Sequence, residues 1–241
     1  MRMAASTVNS IAVLTGAGIS AESGVPTFRG KDGLWRNYRA EDLATPAAFR
    51  RDSRLVWEWY DWRRGLIGTC EPNAAHHTLV EMESRFDEFS LITQNVDGLH
   101  NLAGSRAVLE LHGNIWGLRC TAGCRPTWED RTVPLATIPP RCPSCGALAR
   151  PNVVWFGESL PVGVLDTAFS AARTCEVMLV IGTSALVNPA ASLPLVALQH
   201  GAYVVEFNPQ PTPLSDLADE IVRQPAVEAL PGWWHAWQSE G

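Results

Sequence analysis

Two groups of residues have types and spacing suited to chemistry. Cys120-x3-Cys124 and Cys142-x2-Cys145, separated by 17 residues, have the two-pair layout of a tetrahedral zinc site with four cysteine ligands. Four thiolates leave no open position on the metal, so such a site is structural. A nucleic-acid-binding ribbon fails on charge: Arg119, Arg125, Arg131, Arg141 and Arg150 are partly offset by Glu129 and Asp130. The second group is Thr15-Gly16-Ala17-Gly18-Ile19-Ser20, which follows the apolar run Ile11–Leu14. A strand ending in two glycines at this spacing lets backbone amides approach a pyrophosphate. The usual fingerprint adds a third glycine two residues on and an acid about 20 residues later. Neither is present in that form, so this loop alone leaves a plain tight turn equally open.

These groups need a scaffold. Short apolar runs followed by turn residues recur at Ile11–Leu14, Ser90–Thr93, Val177–Ile181 and Ala202–Phe207, the rhythm of a doubly wound parallel sheet. Across Leu34–Phe86 tryptophans and leucines recur at helical spacing and predict two or three helices, inserted on the sheet. From about Trp116 to Arg150 the periodicity gives way to Cys, Pro and Gly, and a metal is expected to replace the missing core. The expected fold is α/β, a Rossmann-like doubly wound parallel sheet with a helical insertion (about 34–86) and a small inserted zinc-binding module (about 116–150). The sheet part comprises about 8–33, 87–115 and 151–241, in one catalytic domain spanning 1–241. Trp233, Trp234 and Trp237 are expected to pin a last helix to the core.

At 241 residues and 46% hydrophobic content the chain can bury a full core. No apolar stretch approaches the roughly 20 residues of a membrane span, and Met1–Ser10 lacks an apolar signal core. The reading is therefore a cytoplasmic protein, with six cysteines kept reduced and Cys70 and Cys175 simply buried. The short apolar stretches lead to no membrane being expected as a partner, and a net charge of -6 argues against phosphate-backbone binding, so no nucleic acid is expected either. Lys31 is the sole lysine, first of all a composition bias of the genome, and only speculatively self-protection by a lysine-acting enzyme.

Beyond Ser20 the loop continues as Ala21-Glu22-Ser23-Gly24-Val25-Pro26-Thr27-Phe28-Arg29 rather than as a helix. From Gly16 to Arg29 this resembles the sirtuin family string GAGIS, spacer, SG(I/V)P, FR. Further matches follow in family order: Thr93-Gln94-Asn95-Val96-Asp97-Gly98-Leu99-His100, Leu111-His112-Gly113, Val154-Trp155-Phe156-Gly157-Glu158 and Gly182-Thr183-Ser184. The resemblance implies an NAD-dependent protein-lysine deacylase that acts on acyl-lysine proteins, with NAD as co-substrate and one structural Zn2+, as a monomer. It assigns His112 as general base on a ribose hydroxyl, and histidine's unperturbed pKa suits that work. His76, His77, His200 and His235 match no family site.

The resemblance further implies NAD contacts from Gly16, Ala17, Gly18, Ser20, Glu22, Pro26, Thr27, Phe28, Arg29 and Trp35. Gln94, Asn95, Val96 and Asp97 follow on the next loop, where Asn95 and Asp97 would hold the ribose and nicotinamide amide and count as catalytic. The same two residue types also favour a capped turn. Gly182, Thr183, Ser184, Asn208, Pro209, Gln210 and Ala226 complete the cofactor set, although Gln224 stands where the family has a glycine.

A closer resemblance, to the sirtuin subgroup that removes succinyl, malonyl and glutaryl groups, rests on Tyr60 and Arg63 in the helix around Val56–Arg64 and on the small Ala44. Arg63 would grip a terminal carboxylate in a two-pronged bond, and the Tyr60 hydroxyl would add a donor. Val154, Trp155, Phe156, Gly157 and Glu158 are expected to contact the substrate, with the acyl-lysine held as a strand between Gly157–Ser159 and the segment near Asn188 by main-chain hydrogen bonds. Acetyl removal is expected as a partial activity. The rivals are a plain deacetylase, a mono-ADP-ribosyltransferase, an NAD dehydrogenase and a non-catalytic NAD sensor. The missing acid after the glycine loop counts against the dehydrogenase, and the presence of His112, Asn95 and Asp97 against the sensor.

Overall fold

The computed structural model describes residues 7–26 and 38–239. Its strands are β1 (Ser10–Thr15), β2 (Glu88–Thr93), β3 (Val108–Glu110), β4 (Gly113–Cys120), β5 (Trp128–Glu129), β6 (Ala149–Val153), β7 (Val177–Ile181), β8 (Tyr203–Phe207) and β9 (Glu220–Val222). Six of these form a sheet in the order β3-β2-β1-β7-β8-β9 with every pairing parallel. From β1 the chain works outward on one side, and from β7 outward on the other. The reversal between β1 and β7 is a topological switch point, where a crevice opens at the strands' carboxyl ends.

β1 and β7 are buried along their whole length, as central strands covered on both faces must be. Ile11 and Val13 face α4 (Ala74–Arg85) and α8 (Ala226–Ser239), while Ala12 and Leu14 face α6 (Val162–Thr174) and α7 (Leu193–Gln199). Trp234 and Trp237 are buried against Phe86, and Trp233 meets Phe207 edge-on at 5.4 Å, so the expected pinning of the last helix is observed. The edge strands β3 and β9 were not anticipated. At three residues each they are too short to show a period.

Between β1 and β2 the described residues hold four helices rather than two or three: α1 (Ala40–Leu43), α2 (Pro46–Arg51), α3 (Ser53–Ile67) and α4. The Asp52 carboxylate accepts from Leu55 N at 2.9 Å and starts α3, and Asn73 caps α4 in the same way. A short helix, α5 (Leu99–Ala103), follows β2.

β4, β5 and β6 form a separate antiparallel sheet that carries the cysteines. The expectation that metal alone replaces a core here is corrected. β4 buries Trp116, Leu118 and Cys120 in alternation, and Trp116, Leu118 and Ala149 share one apolar cluster with Val56, Trp57 and Tyr60 of α3. The periodicity is present but spans only one strand, so composition masked it.

Candidate active site

The β1 and β7 loops pack closer than side chains permit. A Cβ on Gly16 would lie 2.8 Å from Gly182 O, and one on Gly18 2.6 Å from Gly182 Cα. Gly182 itself adopts φ 61°, which disfavours any other residue. The Gly16 amide donates to Ile181 O at 3.0 Å and the Gly18 amide to Gly182 O at 2.8 Å. These two amides are thus engaged within the protein, and the glycines allow the close approach of the two loops. Ala17 and Gly18 remain half-buried at the crevice and Glu22 is exposed. Pro26 lines a crevice with Trp59, Trp62 and Arg63. Thr27, Phe28, Arg29 and Trp35 lie outside the described residues.

His112 follows β3, its carbonyl accepting from Val154 N at 2.8 Å. Its Nδ1 lies 2.8 Å from Gln94 O. A carbonyl only accepts, so Nδ1 carries the proton and Nε2 of the neutral ring holds the basic lone pair. Burial lowers the His112 pKa and the bond to Gln94 opposes it, leaving it below the ordinary histidine range. A ring kept neutral at physiological pH suits a proton acceptor.

Asn95 and Asp97 sit after β2, both buried. Asn95 Nδ2 donates to Gly16 O and to Ser20 Oγ, each at 3.2 Å, which ties its loop to the glycine loop. Asp97 Oδ1 accepts from Leu99 N at 2.9 Å, so this residue also caps α5. Burial raises the Asp97 carboxyl, and the bonds from Leu99 and Ser20 with the Arg63 charge hold it back. The Ser20 hydroxyl is thus engaged inside the protein rather than presented to a ligand. Beneath it lie His76, 3.4 Å from Ser20 Oγ, and His100, 2.9 Å from Thr15 Oγ1, with Thr15 donating to Thr93 Oγ1 at 2.8 Å.

The other side of the crevice is equally organised. Gln94 Nε2 donates to Thr183 Oγ1, and Asn208 Nδ2 to Thr183 O, both at 2.8 Å. Thr183 is buried and Ser184 half-buried, Pro209 and Gln210 are exposed, and Ala226 begins α8. Buried Glu206 fixes this loop by accepting from Thr212, Ser215 and Arg223, and Arg223 also reaches Asn208 O. Three loops tied at their tips beside a switch point, with glycines where backbones touch, fit an extended dinucleotide.

At the mouth, buried Ala44 accepts from Phe156 N at 2.9 Å. Tyr60 is buried on α3, and its hydroxyl accepts from Trp155 Nε1 at 2.9 Å. Burial pushes the Tyr60 phenol up to about 12, so it keeps its proton. The half-buried Arg63 lies over the Trp59 ring at 5.2 Å. Burial lowers its pKa and the neighbouring Tyr60 and Asp97 oppose this. Val154 is half-buried, while Phe156 and Gly157 are exposed. The Glu158 carboxylate is not presented to a ligand, because Arg150 binds both its oxygens at 2.6 and 2.9 Å and Trp155 N donates to one. Burial would raise this carboxyl, and those bonds hold it below its ordinary value.

Cys120, Cys124, Cys142 and Cys145 come together, their sulfurs all within 4.8 Å of one another and four of the separations at 3.3–3.5 Å. Tetrahedral Zn–S bonds of about 2.3 Å place sulfurs about 3.8 Å apart, so the cluster needs only slight expansion to hold the ion.

The model of the Sir2 family matches residues 16–189, a span that holds the glycine loop, Asn95, Asp97, His112 and all four clustered cysteines. The chain belongs to the Sir2 family. It is similar to an NAD-dependent protein deacylase of Aquifex aeolicus, 56% identical over 220 residues that cover 91% of this chain and 92% of the relative. A deacylase of Thermus thermophilus is 52% identical over 225 residues, covering 91% and 87%. Among solved structures, a Sir2 homologue in complex with NAD superposes with a TM-score of 0.91 at 47% identity, covering 97% of this chain and 91% of that one. A Sir2 complex with a p53 peptide and NAD+ gives 0.82 at 31% identity, covering 96% and 94%.

In this Sir2 chain, residues to which the sequence assigned no role also hold the site together. Arg64, adjacent to the singled-out Arg63, is wholly buried, and it binds Asp130. His76 and His100 underlie the loop that carries Asn95 and Asp97. Arg150 stacks on Trp155 with its guanidinium 3.2 Å from the ring centroid. Each depends on contacts between distant segments, for which local spacing carries no signal.

Proposed function

We propose that this Sir2 protein is an NAD-dependent protein-lysine deacylase that prefers short acyl groups ending in a carboxylate, succinyl and malonyl, and removes acetyl less well. Acyl-lysine, NAD and water become lysine, nicotinamide and O-acyl-ADP-ribose. His112 Nε2 accepts the ribose hydroxyl proton, Asn95 and Asp97 hold the ribose and the nicotinamide amide, and Thr183, Ser184 and Asn208 take the adenosine half. The turn segment Gly157–Ser159 and the segment near Asn188 receive the acyl-lysine main chain of a protein substrate between them.

The acidic preference rests on one observation: Arg63 and Tyr60 lie one turn apart on α3, with Arg63 lining the crevice beside Pro26 and Trp59 and the Tyr60 hydroxyl bonded to Trp155 of the segment that also meets Ala44. A terminal carboxylate would offer the Arg63 guanidinium a two-pronged bond, which a neutral acyl chain cannot form. Nicotinamide release with matched acetyl-lysine and succinyl-lysine peptides tests this, using the wild type, His112→Ala and Arg63→Met. Dominant succinyl turnover that Arg63→Met abolishes while acetyl turnover persists supports the reading. Dominant acetyl turnover with no response to Arg63→Met makes the protein a plain deacetylase. Label transferred from NAD to protein would make it an ADP-ribosyltransferase.

A further inference from the structure

Trp155 is held at several points. Its main-chain N–H donates to Glu158 at 2.9 Å, its ring lies 5.2 Å from Phe49 and beneath Arg150, and its indole Nε1 donates to Tyr60 Oη at 2.9 Å. The Tyr60 ring is equally fixed, packed edge-on against Trp59 at 4.6 Å and Trp57 at 6.2 Å. With both rings locked, the remaining freedom at Tyr60 is rotation of its O–H bond.

An indole N–H donates and never accepts. A phenolic oxygen has one proton and two lone pairs, and the proton prefers the ring plane, on one side or the other. Donation from Trp155 occupies a lone pair on its side and so turns the Tyr60 proton away from it. We propose that Trp155 is a specificity-determining positioning residue: by taking a Tyr60 lone pair it commits the Tyr60 hydroxyl to donate to the terminal carboxylate of an acyl group held by Arg63. An acetyl group ends in a methyl and gains nothing from that donor. A phenylalanine at 155 would keep the packing on Phe49 and Arg150 but leave the hydroxyl undirected. The inference rests on the acidic-acyl reading above and adds to it a residue outside the Tyr60 and Arg63 pair.

The test is kcat/KM for succinyl-lysine and acetyl-lysine peptides in the wild type, Trp155→Phe, Tyr60→Phe, the double variant and Arg63→Met. The succinyl-to-acetyl ratio is expected to fall roughly tenfold in Trp155→Phe, the scale of one hydrogen bond to a charged group. It should fall by a similar factor in Tyr60→Phe and no further in the double variant. Loose packing alone would depress both substrates and leave the ratio in place. An unchanged ratio in Trp155→Phe overturns the inference, as does a double variant that loses the product of the two single effects. Should Trp155→Phe fail to fold, an unchanged ratio in Tyr60→Phe overturns it independently. A ratio that collapses in Arg63→Met but persists in Trp155→Phe removes only this inference; a ratio indifferent to Arg63→Met removes the acidic-acyl reading with it.

Discussion

The indole of Trp116 donates to the main-chain carbonyl of Asp97 at 2.8 Å, so the strand leading into the cysteine cluster holds the loop that carries a proposed catalytic residue. The Trp116 carbonyl in turn accepts from Asp130 N at 2.8 Å, and the guanidinium groups of Arg64 and Arg131 lie 5.3 and 5.2 Å from its ring. The Asp97 loop, α3 and the cysteine sheet therefore meet at one side chain. Trp116→Phe would keep most of the packing and leave the Asp97 carbonyl without this donor. We expect a loss of about 1–2 kcal/mol in urea unfolding and a several-fold fall in kcat/KM for every acyl peptide alike. Wild-type kinetics in a destabilised Trp116→Phe protein would show that this bond supports the fold without tuning the site.

The cysteine cluster makes a separate prediction. Purified protein should carry one zinc per chain, released by a thiol-reactive mercurial and read with a colorimetric chelator. Removing the metal, or making Cys142→Ser, should lower Tm and abolish deacylation together. The cysteine sheet shares its core with α3, and Trp57 Nε1 donates across to Ala149 O at 2.8 Å. A metal-free preparation with unchanged melting would refute a structural ion.

Much of this arrangement was legible in the sequence, for reasons that differ by element. Val177–Ile181 announced a central strand because burial on both faces leaves an unbroken apolar run. The cysteine spacing announced its cluster because tetrahedral ligation requires two tight pairs. The glycine loop is legible as a place of close backbone approach, but the partners of the Gly16 and Gly18 amides, Ile181 and Gly182, lie far along the chain and leave no local signal. Arg63 and Arg64 look alike in sequence. Which of them sinks into the core depends on how α3 is rotated against β4, and only the packing of Trp57, Trp116 and Tyr60 decides that.

Acid should weaken the fold through two histidines beneath the site. His76 and His100 are buried with ring centroids 4.9 Å apart. Burial, reinforced by His77 for the first and by His76 for the second, brings their pKa values down to about 4 and about 3. Unfolded, each titrates near 6.5, so below that pH the unfolded chain binds protons the folded one excludes. Their neutral state costs nothing above pH 7, and stability is lost as pH falls through 6.5 toward the folded values. The loss should be roughly 2 kcal/mol per histidine by pH 5. Urea midpoints at pH 7.5, 6 and 5 measure it, and His100→Gln should flatten the slope by about half. Equal slopes in both proteins would place the acid sensitivity elsewhere.

The buried arginine offers the sharpest test of the packing. Arg64 is fully enclosed; its Nη2 reaches the Asp130 carbonyl and, at 3.1 Å, its carboxylate, while Nε and Nη1 have no hydrogen-bond partner. A cation in this position is tolerated because Asp130 and the Trp116 face offset its desolvation, and removing the carboxylate leaves the charge behind. Asp130→Ala should therefore destabilise by about 1–3 kcal/mol, a range reduced because the Asp130 side chain is partly exposed. Arg64→Met replaces the cation with an apolar chain of similar length and should cost less. In the Arg64→Met background, Asp130→Ala should cost under about 0.5 kcal/mol, since no buried charge remains to be stranded. Chemical denaturation of the four proteins closes the cycle. If Asp130→Ala costs the same in both backgrounds, Asp130 contributes through its bond to Thr132 N rather than through the buried pair.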